Sequence, residues 1–293
     1  EAIDERTVAV VASAPSYAHG VVDPVAAIAE VARERDVWLH VDACVGGFVL
    51  PFLDQAPAFG FEVAGVRSIS ADVHKYGYAP KGASLVCYGD AEDRSFQYFA
   101  TAAWTGYPVA NPVLASTRSG GPIAAAWAVV QHLGQDGYRR ATTSAWSATR
   151  RLVDGIAAAD TTAAVVVEPD APLLAVTSAN VFRHAERMRE RGWMTTVTPS
   201  FGPSPAHLHL TLTAAHEELA EQLLTDLLET AAGDTSPVEP IPLPPGTAAG
   251  TLRELLASVD LSSERTVVDA TLDALDPATR ATLVSAYIQS LFT

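Results

Sequence analysis

Up to residue 135, short strand-like apolar segments alternate with stretches of helical spacing. Thr7 to Ala12 (TVAVVA), Val37 to Val41 (VWLHV), Val66 to Ser70 (VRSIS) and Ala83 to Tyr88 (ASLVCY) are short and apolar enough to predict buried strands. Between the first two, Val25, Ile28, Val31 and Ala32 keep a helical repeat, with Asp23 as the expected N-cap and Pro24 in the first turn. The alternation predicts βαβ units around a mostly parallel sheet. Gly120-Gly121-Pro122 opens a long apolar helix that Gly134 should end, and a second helix is expected from about Asp136 to Ala159.

Beyond this point the pattern reads as α+β. Strands are expected near Ala163 to Val167, Leu173 to Thr177 and Leu208 to Thr213, and helices near Val181 to Arg191 and Ala214 to Ala231. Gly233 to Gly250 (GDTSPVEPIPLPPGTAAG) predicts an extended linker, and three short helical patterns close the chain. The predicted organisation is residues 1–135 as part of a large α/β domain, 136–232 as a small α+β domain, and 233–293 as linker and helical tail. No internal repeat occurs.

Composition narrows the partners. With 48% hydrophobic and 18% charged residues the chain reads as globular, and its net charge of −15 argues against nucleic acid or an anionic membrane surface. No apolar run approaches the ~20 residues of a membrane span, and no signal peptide is visible. The two cysteines, Cys44 and Cys87, sit in apolar runs; they suit a reducing, cytoplasmic setting and are expected to be small buried hydrophobes. Trp104, Trp127 and Trp146 are expected to fill core or interface. His132, His184, His207, His209 and His216 show no metal-ligand grouping, so no metal is expected.

Candidate chemistry concentrates between His40 and Gly82: HVDACVGGF, then SISADVHKYGYAPKG. Strand ends in open α/β sheets form the crevice where ligands bind, and Asp42 and Lys75 stand at two such ends, 33 residues apart. A lysine amine can form an imine with an aldehyde, and a carboxylate can keep a pyridine ring nitrogen protonated. Spacing alone leaves surface ion pairs as the alternative.

The full strings go further. HVDAC-GGF and SISAD-HKYGYAPKG resemble the group II decarboxylase superfamily of enzymes dependent on pyridoxal 5'-phosphate (PLP), most closely its sphingosine-1-phosphate lyase branch. SYAHGVVDPVAAIAEVA, then W-x-G-x-Y, S-R-x-G-G, A-x-W-A and G-x-x-G-Y between Phe96 and Tyr138, continue the likeness, and the closing segment from Glu264 resembles the family's tail. The resemblance implies a fold-type-I (aspartate-aminotransferase-like) large domain, partial here, followed by a C-terminal α+β small domain.

It also implies roles. Lys75 would hold PLP as a Schiff base, Asp42 would pair with the ring nitrogen, Ala43 would pack at the ring, and His74 and Ser70 would contact the cofactor or its phosphate. Lys81 would meet a substrate phosphate, with Tyr17 and His19 lining the same pocket. Ser119, Gly120 and Gly121 would reach the cofactor phosphate of a neighbouring subunit in a homodimer with shared active sites. Arg118 fits a dimer-interface ion pair as well as a ligand contact.

The implied reaction is retro-aldol cleavage of a phosphorylated long-chain amino alcohol to a fatty aldehyde and phosphoethanolamine. The alternatives are decarboxylation of an amino acid on the same machinery, or an inactive fragment serving as a dimerisation partner. The family's Gly-rich phosphate loop and the residue stacking on the outer ring face are not found, and both are expected to precede Glu1. A sheet edge and apolar surface should then be exposed in this segment. High Ala, Val and Leu content suggests a GC-rich bacterial source.

Overall fold

The computed structural model describes residues 3–114, 117–243 and 264–290. They divide into two units, one formed by Glu1–Ala148, Pro169–Leu173 and Leu212–Glu217, the other by Thr149–Glu168, Leu174–Thr211 and Glu218–Thr293.

The first unit is built on a four-stranded sheet in the order β1 (Ala9–Ser13), β2 (Trp38–Asp42), β3 (Val66–Ala71), β4 (Leu85–Tyr88). The first three strands are parallel, as the alternation of strand and helical patterns predicts. Helix α1 (Val25–Glu34) links β1 to β2 and presents Val25, Ala29 and Ala32 to one sheet face, where Ala12, Leu39, Val41 and Ile69 complete the core. Leu39 and Val41 are fully buried, each contributing about 1.5–3 kcal/mol.

Two expectations for this region are corrected. Asp23 does not cap α1: its Oδ2 accepts the Ser13 N–H at 2.7 Å, and its own N–H donates to the Ser13 carbonyl at 2.9 Å. Ser13 ends the edge strand, so its backbone groups need partners outside the ladder, and Asp23 supplies both. The other correction concerns β4, which runs antiparallel to β3. Only turns join the two, and a parallel neighbour would require a longer crossover.

A bulge sets the faces of β2 and β3. Leu39 pairs with Val66 and His40 with Ser68, leaving Arg67 as the extra residue. The bulge keeps Leu39 and Val66 on the core side while His40 and Ser68 share the other face. Arg67 lies over the Trp38 ring at 4.1 Å and pairs with Asp93.

After β4 come a short helix, α2 (Ala91–Ser95), capped by Asp90, and a hairpin of β5 (Phe99–Thr101) and β6 (Val109–Asn111). None of these was predicted, since three to five residues carry no readable period. Helix α3 (Gly120–Ala158) is two helical segments joined at Gly134, whose φ of 56° and ψ of −174° break the spiral where the sequence places the stop. The expected edge exposure is present: Val8 on entering β1 and Val11 within it are 84% and 61% exposed. Cys87 is exposed and Cys44 half-buried, so the cysteines are not both buried; β4 turns Cys87 outward at a sheet edge. Trp104 and Trp127 are likewise exposed, so neither fills this chain's core.

The second unit holds a sheet in the order β7 (Ala164–Val165), β8 (Leu173–Thr177), β10 (His207–Thr211), β9 (Thr196–Thr198). Strand β9 is an addition to the expected set. Helix α4 (Val181–Glu190) is capped by Asn180, whose side chain accepts the Arg183 N–H. Its fully buried His184 is pushed down to about 4 by burial and by Arg187, which makes it a neutral core residue. Helix α5 (Ala220–Ala231) begins later than expected, because Thr213 and His216 form a capping box around a separate short turn, Ala214–His216.

Residues 233–243 carry no helix or strand, and the rest of the predicted linker lies outside the described residues. Of the three closing helical patterns, two are seen, Arg265–Ala274 and Pro277–Ser290; the third lies outside the described residues. Among the described residues no helix is long and apolar enough to cross a membrane, and no group of side chains could hold a metal ion.

Candidate functional site

The parallel register aligns Ser13, Asp42 and Ser70 across the carboxyl ends of β1, β2 and β3. This is the crevice edge where the sequence places its chemistry. Behind Asp42 the chain turns sharply through Gly46 and Gly47. A Cβ on Gly46 would come within 2.1 Å of the Ala14 carbonyl, and one on Gly47 within 2.6 Å of the Ala71 Cβ. The two glycines thus let the turn lie directly on the ends of β1 and β3, with Ala43 fully buried beneath.

The Asp42 carboxylate is half-buried. Its Oδ1 accepts the Cys44 backbone N–H at 3.0 Å and the Ser70 hydroxyl at 3.2 Å, and Oδ2 takes neither bond. Burial works against its charge, but the bonds from Cys44 and Ser70 and the nearby Lys75 ammonium outweigh that cost. The carboxyl therefore sits below its ordinary range and is ionised at neutral pH.

Immediately after β3, Asp72 gathers the polar groups of the next turn. Its Oδ2 lies 3.0 Å from Lys75 Nζ and 3.7 Å from His74 Nε2, and its Oδ1 accepts the Ser84 hydroxyl at 2.6 Å. Burial opposes the charge on Asp72 too, and the Ser84 and Lys75 contacts overcome it, so its carboxyl is also held low. His74 donates from Nδ1 to the Ala83 carbonyl at 3.1 Å, which closes the turn. The Lys75 side chain is 38% exposed, tethered and accessible at once.

Tyr76 fixes this turn in place. Its buried hydroxyl lies 2.9 Å from the Pro172 carbonyl and 2.8 Å from the Leu212 carbonyl, so one proton serves two acceptors. Burial pushes its phenol well above the usual range. Tyr76→Phe strands both carbonyls and is expected to cost about 1–3 kcal/mol, read as a shift in the denaturant midpoint. An unchanged midpoint would mean that the anchor contributes nothing.

The remaining candidates lie around this centre. Tyr17 and His19 occupy the turn after β1, which is closed by the Ser16 N–H to Val21 carbonyl bond and held by Asp170, whose Oδ2 accepts the Val22 N–H. Gly20 has a φ of +73°, and a Cβ there would meet the Leu173 carbonyl at 2.3 Å. Lys81 is exposed in the turn six residues beyond Lys75. Next to it, a Cβ on Gly82 would come within 2.8 Å of Pro122 Cγ, so the Lys81 turn and the start of α3 are neighbours. Gly120 and Gly121 are exposed at that helix start, and a Cβ on Gly120 would meet nothing within 4 Å.

The structure thus brings Asp42, Ser70, His74 and Lys75 to one strand-end region and sets the Lys81 turn, through Gly82 and Pro122, next to the start of α3. Sequence reasoning missed Asp72, Ser84 and His40. The first follows β3 directly and could have been taken from its strand-end position; Ser84 is recruited by the turn and left no signal. Lys75 and Lys81 are also the only two lysines in the sequence.

Comparison with known proteins bears on the family and the fold. A family model described as the pyridoxal-dependent decarboxylase conserved domain matches residues 1–177. The sphingosine-1-phosphate lyase of Arabidopsis thaliana is 34% identical over 273 residues, covering 91% of this chain and 48% of that protein. The chain therefore spans about half the length of this relative. The structure of a sphingosine-1-phosphate lyase from Burkholderia pseudomallei is similar with a TM-score of 0.72 at 37% identity, over 78% of this chain and 53% of that one. A glutamate decarboxylase from Lactobacillus brevis, 20% identical, shares the fold with a TM-score of 0.66, covering 78% and 55% of the two chains. The fold is that of the fold-type-I PLP-dependent enzymes, and the chain belongs to the pyridoxal-dependent decarboxylase family.

Proposed function

We propose that this chain provides the lysine-bearing part of a PLP-dependent carbon–carbon lyase acting on a phosphorylated long-chain amino alcohol. One observation carries the reading: an accessible lysine and an ionised, half-buried carboxylate stand at neighbouring strand ends, close enough that the lysine helps to hold the carboxyl low. The donor set fits the cofactor, since Lys75 offers an amine for the aldehyde and Asp42 has Oδ2 left for the ring nitrogen. When bound, PLP supplies an electron-withdrawing ring that accepts the electrons of the breaking bond.

This chain's own residues do the rest. Asp72 holds the Lys75 ammonium at the mouth of the turn, with Ser84 fixing the carboxylate that does so. Asp42 keeps a proton at the ring nitrogen. Lys81, exposed beside the start of α3, is the cation available to a substrate phosphate. Ala43 and His74 border the cofactor side, and Tyr17 and His19 the substrate side. In a homodimer Gly120 and Gly121 would approach the neighbour's phosphate; the exposed Trp104, Tyr107 and Trp127 of the same stretch supply apolar surface for that contact.

The assay follows products. Incubation of the cofactor-loaded protein with a phosphorylated sphingoid base should release a long-chain aldehyde and phosphoethanolamine. Release of CO2 from an amino acid instead would assign the decarboxylase reaction to the same residues. Lys81→Ala is expected to raise KM for the phosphorylated substrate roughly tenfold with kcat little changed, as loss of an exposed phosphate contact should. Unchanged KM would remove Lys81 from the substrate site.

A further inference from the structure

On the sheet face opposite α1, five side chains form one hydrogen-bonded line running up to Asp42. Trp38 Nε1 donates to Ser68 Oγ at 2.8 Å, Ser68 Oγ lies 2.8 Å from His40 Nδ1, and His40 Nε2 lies 3.2 Å from Ser70 Oγ. Ser70 in turn donates to Asp42 Oδ1 at 3.2 Å.

The direction of every proton follows from the two ends. An ionised carboxylate only accepts, so the single Ser70 proton goes to Asp42. Ser70 Oγ must then accept from His40, which places the imidazole proton on Nε2. The indole N–H only donates, so the Ser68 proton is left for His40 Nδ1. Burial favours the neutral ring of His40, partly offset by the Asp42 charge, and a neutral ring has one donor and one acceptor, as this line requires. Cys44 completes the surroundings of Ser70, its Sγ 3.4 Å from the hydroxyl.

We propose that His40 is a positioning residue which, through Ser70, fixes Asp42 in its ionised state with Oδ2 directed to the ring nitrogen of the cofactor. The inference rests on the PLP reading above for its second half only. Donors aligned head to tail polarise one another, so the bond delivered to Oδ1 is stronger than that of an isolated serine. Stabilising the carboxylate keeps the shared proton on the ring nitrogen. Without the line, the proton affinity of Asp42 rises and the ring moves toward its neutral form.

The first test needs no cofactor. In protein with 15N-labelled histidine, His40 is assigned by the signals lost in His40→Gln, and its ring nitrogens should show the neutral Nε2–H tautomer at pH 7. An Nδ1–H tautomer or a charged ring would overturn the line as drawn. The second test uses the protein loaded with PLP labelled with 15N in its pyridine ring. Ser70→Ala and His40→Gln should lower the ratio of protonated to neutral ring nitrogen about tenfold, with the imine absorbance retained and Ser70→Thr restoring the parent ratio. An unshifted ring nitrogen in variants that still form the imine overturns the proposed role. Failure of the parent to form an imine at all overturns the PLP reading and the role with it, and the tautomer result still decides the line by itself.

Discussion

Lys75→Ala is expected to remove the imine absorption near ~420 nm entirely and to lower turnover by at least about a thousandfold. The sequence sharpens this test, because Lys81 is the only other lysine. Any imine on a side chain of this sequence must therefore form on one of two residues six positions apart. Lys75 has the geometry for it: Asp72 tethers its ammonium at 3.0 Å, and the Tyr76 anchor holds the backbone next to it. Borohydride reduction followed by peptide mapping should place the label on Lys75 in the parent and in Lys81→Ala. Label on Lys81 would exchange the two roles and undo the phosphate assignment.

The second large effect is expected at Asp42. Asp42→Asn keeps the size of the side chain and its bond from the Cys44 N–H, but removes the charge that holds a proton on the ring. Turnover should fall roughly a thousandfold, equivalent to about 4 kcal/mol of lost transition-state stabilisation, while the imine absorption persists. That combination separates Asp42 from Lys75, whose loss removes both signals. Retained turnover in Asp42→Asn would show that the ring nitrogen need not be charged in this reaction.

Much of the first unit was legible in the chain. Strands β1 to β3 are parallel, and β2 and β3, which have no exposed residue, were legible as short β-prone segments, as was the more open β1. Asp42 ends β2 and Lys75 follows β3, but position alone left surface ion pairs open, and it was the resemblance of the surrounding strings that implied their roles. Strands β5, β6 and β9, at three residues each, offer too little pattern to detect. The direction of β4 is a property of its connection, which apolar content does not encode. Asp23 looked like a cap because it precedes Pro24; the competing need of an edge strand for partners decided its role.

Within the site, the unread parts depend on pairing in three dimensions. His40 lies two residues before Asp42, so alternation along β2 puts them on one face, which was a usable signal. Its junction with Ser68 and Ser70 depends on the bulge at Arg67, and no local pattern announces that bulge. Tyr76 reads as an ordinary aromatic beside the lysine, since the carbonyls it serves are 96 and 136 residues away.

Those separations also set an order of events during synthesis. The turn that carries Lys75 is sealed only when loops of 96 and 136 residues close onto Tyr76, and the Val22 bond to Asp170 closes another of 148. Loop closure on this scale is entropically slow, and it cannot begin before the far partner has emerged from the ribosome. The strands bearing Asp42 and Ser70 can pair early, since only residues 43–65 separate them. The backbone next to the lysine gains its Tyr76 anchor only after Leu212 has been made, whereas the Asp72 tether on Lys75 is local and can form earlier.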